Sequence, residues 1–134
     1  MKTFIEFCKH QHDIECNQKY NGTLPYSFHL EQAANQVDKF KYLLNPRDQA
    51  IATCGIWGHD LVEDARITPN DIVKMNIWYY ISDRKENISS EVAKVIYACT
   101  ELRGWTRGER HGPEYIQGLK DCRLGLFDKL CDIA

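Results

Sequence analysis

One short segment of the sequence concentrates groups that can bind a metal ion. From Gly58 to Asp64 the chain reads Gly-His-Asp-Leu-Val-Glu-Asp, which places one imidazole and three carboxylates in six consecutive positions. Neutral imidazole and carboxylate oxygens are standard ligands of zinc, manganese and iron. The acids follow an apolar run and would face the negative end of a helix dipole there. Either a divalent cation stabilises them, or the segment is a solvated acidic turn.

Five blocks along the chain carry a resemblance to a known family. They are Gly22 to His29, similar to Gly-x-Pro-Tyr-x-x-His; His59 to Asp64, similar to His-Asp-x-Val-Glu-Asp; Thr68 to Ile72, similar to Thr-x-x-Asp-Ile; Thr100 to Arg110, similar to Thr-x-x-x-Gly-x-x-Arg-x-Glu-Arg; and Lys129 to Asp132, similar to Lys-Leu-Cys-Asp. In this order they resemble the HD-domain metal-dependent phosphohydrolases, and among these the small alarmone hydrolases related to the Rel/Spo hydrolase domain. The resemblance covers residues 18–134 and implies an all-α, HD-domain helical bundle.

The same resemblance implies a set of metal ligands. It assigns His29, His59, Asp60 and Asp132 as ligands of Mn²⁺ or another divalent transition metal. The expected helices agree with this set, because the four side chains come from three of them and one ion would fix those helices against each other. Taken alone, Asp132 could also be an exposed acid near a frayed end.

Glu63 and Asp64 are the implied catalytic carboxylates. If the helical path continues past His59, Glu63 lies one turn beyond His59 and Asp64 one turn beyond Asp60. A carboxylate beside a divalent ion can orient a water molecule and accept its proton for attack on phosphorus. The alternative is that Asp64 only forms a turn before Ala65 and Arg66.

Charge limits the partners that this chain can bind. Seventeen Lys and Arg against nineteen Asp and Glu give a net charge of −2, so no general basic field attracts nucleic acid or an anionic membrane. We therefore expect a small-molecule nucleotide held by local groups, with arginine suited to phosphate. The cationic candidates, each of which could instead be an ordinary surface charge, are Lys19, Arg66, Arg103, Arg107 and Arg110. Tyr20 and Tyr26 could stack on a base, although Tyr26 could equally be a core residue. Relatives often carry an Arg-Lys pair that contacts guanine where this chain has Gln18-Lys19.

The resulting hypothesis is a metal-dependent nucleotide phosphohydrolase. The resemblance favours guanosine 3',5'-bis(diphosphate), cut at the 3' position to release pyrophosphate. Two alternatives stay open: an HD nucleotidase that acts on other nucleotides or deoxynucleotides, and a non-catalytic nucleotide-binding module that keeps its metal. Glu63 and Asp64 argue against the module, since a pure binding protein does not need them.

The elements that must position these residues are predicted to be helices. A chain of 134 residues with 43% hydrophobic content suits one domain, here residues 1–134. Hydrophobic spacing near 3.6 predicts helices over about residues 2–11, 26–44, 47–57, 69–80, 89–99 and 113–132. Thr68 and Pro69 begin the fourth of these, with Asp71 in its first turn. Residues 13–25 and 82–87 are predicted to be loops.

The remaining composition favours a cytoplasmic protein. The six cysteines form no Cys-x-x-Cys pair, and neither a secretory signal nor an apolar run of roughly 20 residues is present. We expect reduced, mostly buried thiols and no membrane segment.

Overall fold

The computed structural model describes residues 3–100 and 113–133, with side chains at 3–100 and 115–133. This part of the chain is mostly helical, as the hydrophobic spacing predicted. The helices are α1 (Phe4–His10), α2 (Ser27–Phe40), α3 (Pro46–Gly58), α4 (Leu61–Asp64), α5 (Pro69–Lys74), α6 (Ser89–Cys99), α7 (Pro113–Asp121) and α8 (Arg123–Ile133). A π-helical turn, Gln11–Glu15, extends α1, and a 3₁₀ turn, Lys41–Leu43, follows α2.

Local capping determines where several helices begin. Thr68 caps α5 through a reciprocal pair of hydrogen bonds with Asp71, and Pro69 occupies the first turn. This confirms the predicted start of that helix. Asn45 caps α3 through a single such bond, by accepting from the backbone N–H of Asp48.

The prediction of a helix that reaches Tyr80 is wrong. Helix α5 ends at Lys74, and a strand at Trp78–Ile81 pairs antiparallel with a strand at Arg84–Asn87, so the predicted loop at 82–87 is wrong too. Ser82 and Asp83 connect the strands, both with positive φ, as a two-residue hairpin turn of the mirror-image type requires. The run Trp-Tyr-Tyr-Ile also consists of residues that favour strands.

Two further segments differ from the expected elements. The loop at 13–25 contains a short antiparallel hairpin of Lys19–Tyr20 and Leu24–Pro25, with Asn21 and Gly22 at positive φ in its turn. The single final helix is instead two helices, α7 and α8, which meet at Cys122.

Helix α3 lies at the centre of the core. It packs against α1, α2, α6 and α8, which explains why most of its residues from Ala50 to Gly58 are apolar. Its fully buried side chains meet those of the surrounding helices in one cluster that includes Leu30, Val37, Ile51, Ala52, Cys54, Ile56, Val92 and Ile96.

All six cysteines are free thiols, and four of them are buried. Within residues 3–100 and 113–133, no helix has the length and apolarity to cross a membrane.

Candidate metal centre

Three potential ligands from three separate helices converge at one point. His29 lies in the first turn of α2, His59 directly after α3, and Asp132 in the last turn of α8. One ligand atom of each lies within 4.8 Å of the others. The Oδ1 atom of Asp132 is 3.4 Å from Nε2 of His29 and 3.2 Å from Nε2 of His59.

Asp60, the fourth predicted ligand, lies beside this cluster. Its Oδ2 atom is 3.2 Å from Nε2 of His59, and it accepts a hydrogen bond of 2.6 Å from the hydroxyl of Tyr26. All four predicted side chains are therefore brought together, with Tyr26 holding one of them from the side. We call His29, His59, Asp60 and Asp132 the four-residue cluster.

A backbone hydrogen bond orients His59. Its Nδ1 atom lies 2.6 Å from the carbonyl oxygen of Ile56, and because a carbonyl only accepts, Nδ1 must carry the proton. Nε2 is thereby aimed at the carboxylates of Asp60 and Asp132. Metal-binding histidines commonly show this arrangement, in which the distal ring nitrogen is fixed by a partner outside the coordination shell.

The carboxylates of the four-residue cluster favour a positive charge beside them. Burial lowers the pKa of His59, but the carboxylates of Asp60 and Asp132 outweigh that effect and raise it to about 10. Burial would raise the pKa of Asp132, yet the imidazoles of His29 and His59 hold it well below its usual range. Two nearly buried carboxylates around one imidazole thus favour a cation, either a proton on His59 or a metal ion.

The donor set fits a divalent transition metal. Among the described residues, no donor reaches Oδ1 of Asp132 in hydrogen-bond geometry, although two ring nitrogens face it within 3.4 Å. Ligand atoms around an ion with bonds of about 2.1 Å lie roughly 3.0–3.4 Å apart. Two imidazoles with one or two carboxylates form a donor set suited to manganese, iron or zinc.

The predicted catalytic carboxylates lie on α4, next to the cluster. The backbone N–H of Asp64 donates to the carbonyl of Asp60, so Asp64 lies one helical turn beyond it. Both Glu63 and Asp64 reach the surface. Partial desolvation raises the pKa of Asp64, opposed by a hydrogen bond from Gln18 and reinforced by the charge of Asp60.

The predicted substrate-binding residues are spread more widely. Lys19 is exposed on the first hairpin, and Arg66 is exposed just after α4 with a positive φ. The ring of Tyr20 stacks on the ring of His29, with centroids 5.2 Å apart and planes 20° apart. One face of Tyr20 therefore supports a predicted ligand, a contact that the sequence did not suggest. Arg103, Arg107 and Arg110 lie outside the described residues.

Sequence reasoning missed three residues that contact the site. The hydroxyl of Tyr26 donates to Asp60, and Gln18, which is hydrogen-bonded to His12, donates to Asp64. A polar residue in a turn-rich loop has no periodic spacing that would distinguish a buried side chain from a solvated one.

Comparisons of the chain with protein-family models, with curated proteins and with solved structures give no match.

Proposed function

We propose that this protein is a metal-dependent phosphohydrolase of the HD type that acts on a nucleotide. The observation that carries the proposal is the convergence of His29, His59 and Asp132 from three helices to within 4.8 Å. Their sequence separations span most of the chain, so the convergence is not a by-product of local structure. Asp60 adds a carboxylate beside His59, and Asp64 adds another one helical turn further along the chain.

In this proposal the four-residue cluster holds the cation, and Tyr26 and the Ile56 carbonyl orient two of its members. A divalent cation there supplies positive charge that polarises phosphoryl oxygens and acidifies water. The cluster residues contribute no proton transfer of their own, since ligands must remain deprotonated to bind.

Proton transfer is assigned to the carboxylates of α4. Asp64 has a raised pKa, which brings it nearer to the working pH and makes it a better general base than an ordinary aspartate. In the proposed step, water oxygen bonds to phosphorus and its proton passes to a carboxylate of Asp64 or Glu63. The bond from phosphorus to the ester oxygen breaks, and that oxygen takes up a proton from solvent, while the carboxylate later returns its proton to solvent.

The resemblance of the five sequence blocks favours guanosine 3',5'-bis(diphosphate) as substrate and pyrophosphate as one product. Such an anion needs cationic neighbours, and the candidates are the exposed Lys19, in the hairpin before α2, and the exposed Arg66, just after α4. The arginines of the Thr100 to Arg110 block are the remaining candidates. The proposed location is the cytoplasm, where free thiols persist.

The test is an activity screen of the manganese-loaded protein against nucleotides that include this alarmone. Glu63→Gln and Asp64→Asn keep size while removing the charge that accepts a proton, so turnover should fall by about 100-fold or more with metal content unchanged. Asp38→Asn serves as control, because that carboxylate pairs with Lys41 on the surface.

The products decide between the candidate functions. Pyrophosphate together with guanosine 5'-diphosphate supports the alarmone as substrate. Inorganic phosphate from deoxynucleotide monophosphates alone would indicate a nucleotidase. Stoichiometric metal and tight nucleotide binding without any turnover would indicate a binding module and contradict the proposed hydrolysis.

A further inference from the structure

A fully buried histidine lies outside the four-residue cluster. His12, in the π-helical turn after α1, has no exposed surface. Its Nδ1 atom lies 2.9 Å from Oε1 of Gln18, and its ring packs on Tyr26 with centroids 4.9 Å apart. Its Nε2 atom has no hydrogen-bond partner within the described part of the chain. A buried polar side chain that is only half satisfied is costly, so its retention calls for a reason.

Gln18 connects this histidine to α4. Its Oε1 accepts from Nδ1 of His12, and its Nε2 donates to Oδ2 of Asp64 over 3.2 Å. Because an amide has a distinct acceptor end and donor end, these two contacts determine which way the side chain points. A continuous chain of hydrogen bonds thus runs from buried His12 to Asp64.

The main chain fixes Gln18 equally firmly. Its N–H donates to the carbonyl of His12 over 2.8 Å, and its carbonyl accepts from the N–H of Tyr26 over 3.2 Å. Two residues earlier, the thiol of Cys16 lies 3.6 Å from the carbonyl oxygen of Asp64. Residues 16–18 therefore contact both the side chain and the main chain of Asp64.

We propose that Gln18, oriented by His12, is a positioning residue that holds Oδ2 of Asp64 and leaves Oδ1 to accept the proton. This inference rests on the proposed function. A neutral amide suits the task because it fixes the carboxylate without neutralising it, whereas Lys or Arg in the same place would pair with the charge and weaken the base.

The geometry predicts which variants should lose kcat and which should keep it. Gln18→Ala should lower kcat about 10- to 100-fold, the usual effect of removing a supporting hydrogen bond, with KM and metal stoichiometry unchanged. Gln18→Glu keeps an acceptor for His12 but sets a carboxylate against Asp64, so it should lose as much kcat and still fold. Gln32→Ala, at an exposed position on α2, is the matched control.

Substitutions of His12 separate positioning from packing. An asparagine amide can place a donor near the site of Nδ1, so His12→Asn should retain more kcat than His12→Leu, which fills space without donating. A kcat for both Gln18 variants within about twofold of the wild type would overturn the proposal. So would equal losses in the Asn and Leu variants of His12.

A second readout does not depend on turnover. If the wild type hydrolyses no nucleotide, the proposed function fails, and the hydrogen-bond chain is judged by NMR. The side-chain amide protons of Gln18 should then exchange with solvent more slowly than those of Gln32, and Asp64→Ala should abolish that protection. Equal exchange of the two amides in the wild type would show that Gln18 does not hold Asp64, and would overturn this inference by itself.

Discussion

Asp128 and Gly55 touch where α8 crosses α3, and each lies four residues before a member of the four-residue cluster. A methyl group on Gly55 would overlap Oδ2 of Asp128. The Asp128 side chain is fully buried, and neither of its oxygens has a hydrogen-bond partner among the described residues. Burial raises the pKa of Asp128 well above its usual range. The charge of His59 lowers this pKa, and the charge of Asp132 raises it.

This buried acid should make stability depend on pH. Above about pH 4 the unfolded chain loses the Asp128 proton while the folded chain keeps it, so the folded state binds more protons and stability falls as pH rises. Asp128→Asn does not titrate and should be more stable than the wild type at neutral pH by about 1–3 kcal/mol. Urea unfolding at several pH values measures the difference.

The advantage of Asp128→Asn should grow with pH, by up to about 1.4 kcal/mol per pH unit, until the folded wild type loses its proton. Asp83→Asn is the control, because Asp83 is exposed in a hairpin turn where asparagine tolerates positive φ. Parallel stability curves for Asp128→Asn and the wild type would contradict a buried, protonated carboxyl.

The close approach of α3 and α8 gives a second prediction. Alanine for glycine inside a helix normally stabilises by about 0.5–1 kcal/mol. Gly55→Ala should instead destabilise by about 1–3 kcal/mol, because its methyl group meets Asp128 and Val95. Gly118→Ala on α7 has open space and should show the normal stabilisation. Chemical denaturation of both variants tests this, and the same sign of change for both would refute it.

Metal content should depend on the cluster. His29→Ala and Asp132→Ala should each lose stoichiometric manganese, measured by elemental analysis after dialysis. The wild type should gain about 2.7 kcal/mol of stability when free metal is 100 times its dissociation constant, and these variants should gain far less. His10→Ala, which only removes a surface pair with Glu15, should behave like the wild type. A full equivalent of metal in either cluster variant would refute the ligand set.

The hydroxyl of Tyr26 should strengthen metal binding without being a ligand. Tyr26→Phe keeps the ring that packs on His12 and removes the hydrogen bond to Asp60. We expect manganese affinity to fall about 10-fold, as for other partners of metal ligands. Titration calorimetry measures it, and Tyr80→Phe, at a largely exposed hairpin position, is the control. Unchanged affinity would mean that Asp60 needs no such support.

Several local elements of this protein are predictable from its sequence alone. Hydrophobic spacing predicted a helical chain, the pattern at Thr68 predicted the start of α5, and the apolar run before His59 placed this histidine at the end of a helix. Such signals involve residues within one or two turns of each other, where backbone hydrogen bonds and caps act. The grouping of His29, His59, Asp60 and Asp132 was predicted only through resemblance to a family.

Tertiary structure decided what depends on distant residues. The helix predicted for residues 69–80 ends early, and residues 78–87 form a hairpin whose Ile81 reaches the core that α3 and its neighbours create. The contact of Gln18 with Asp64 joins residues 46 positions apart, and the buried Asp128 occupies space that a methyl group on Gly55 would enter. These relationships arise from the packing of whole helices against each other, and no run of neighbouring residues contains that information.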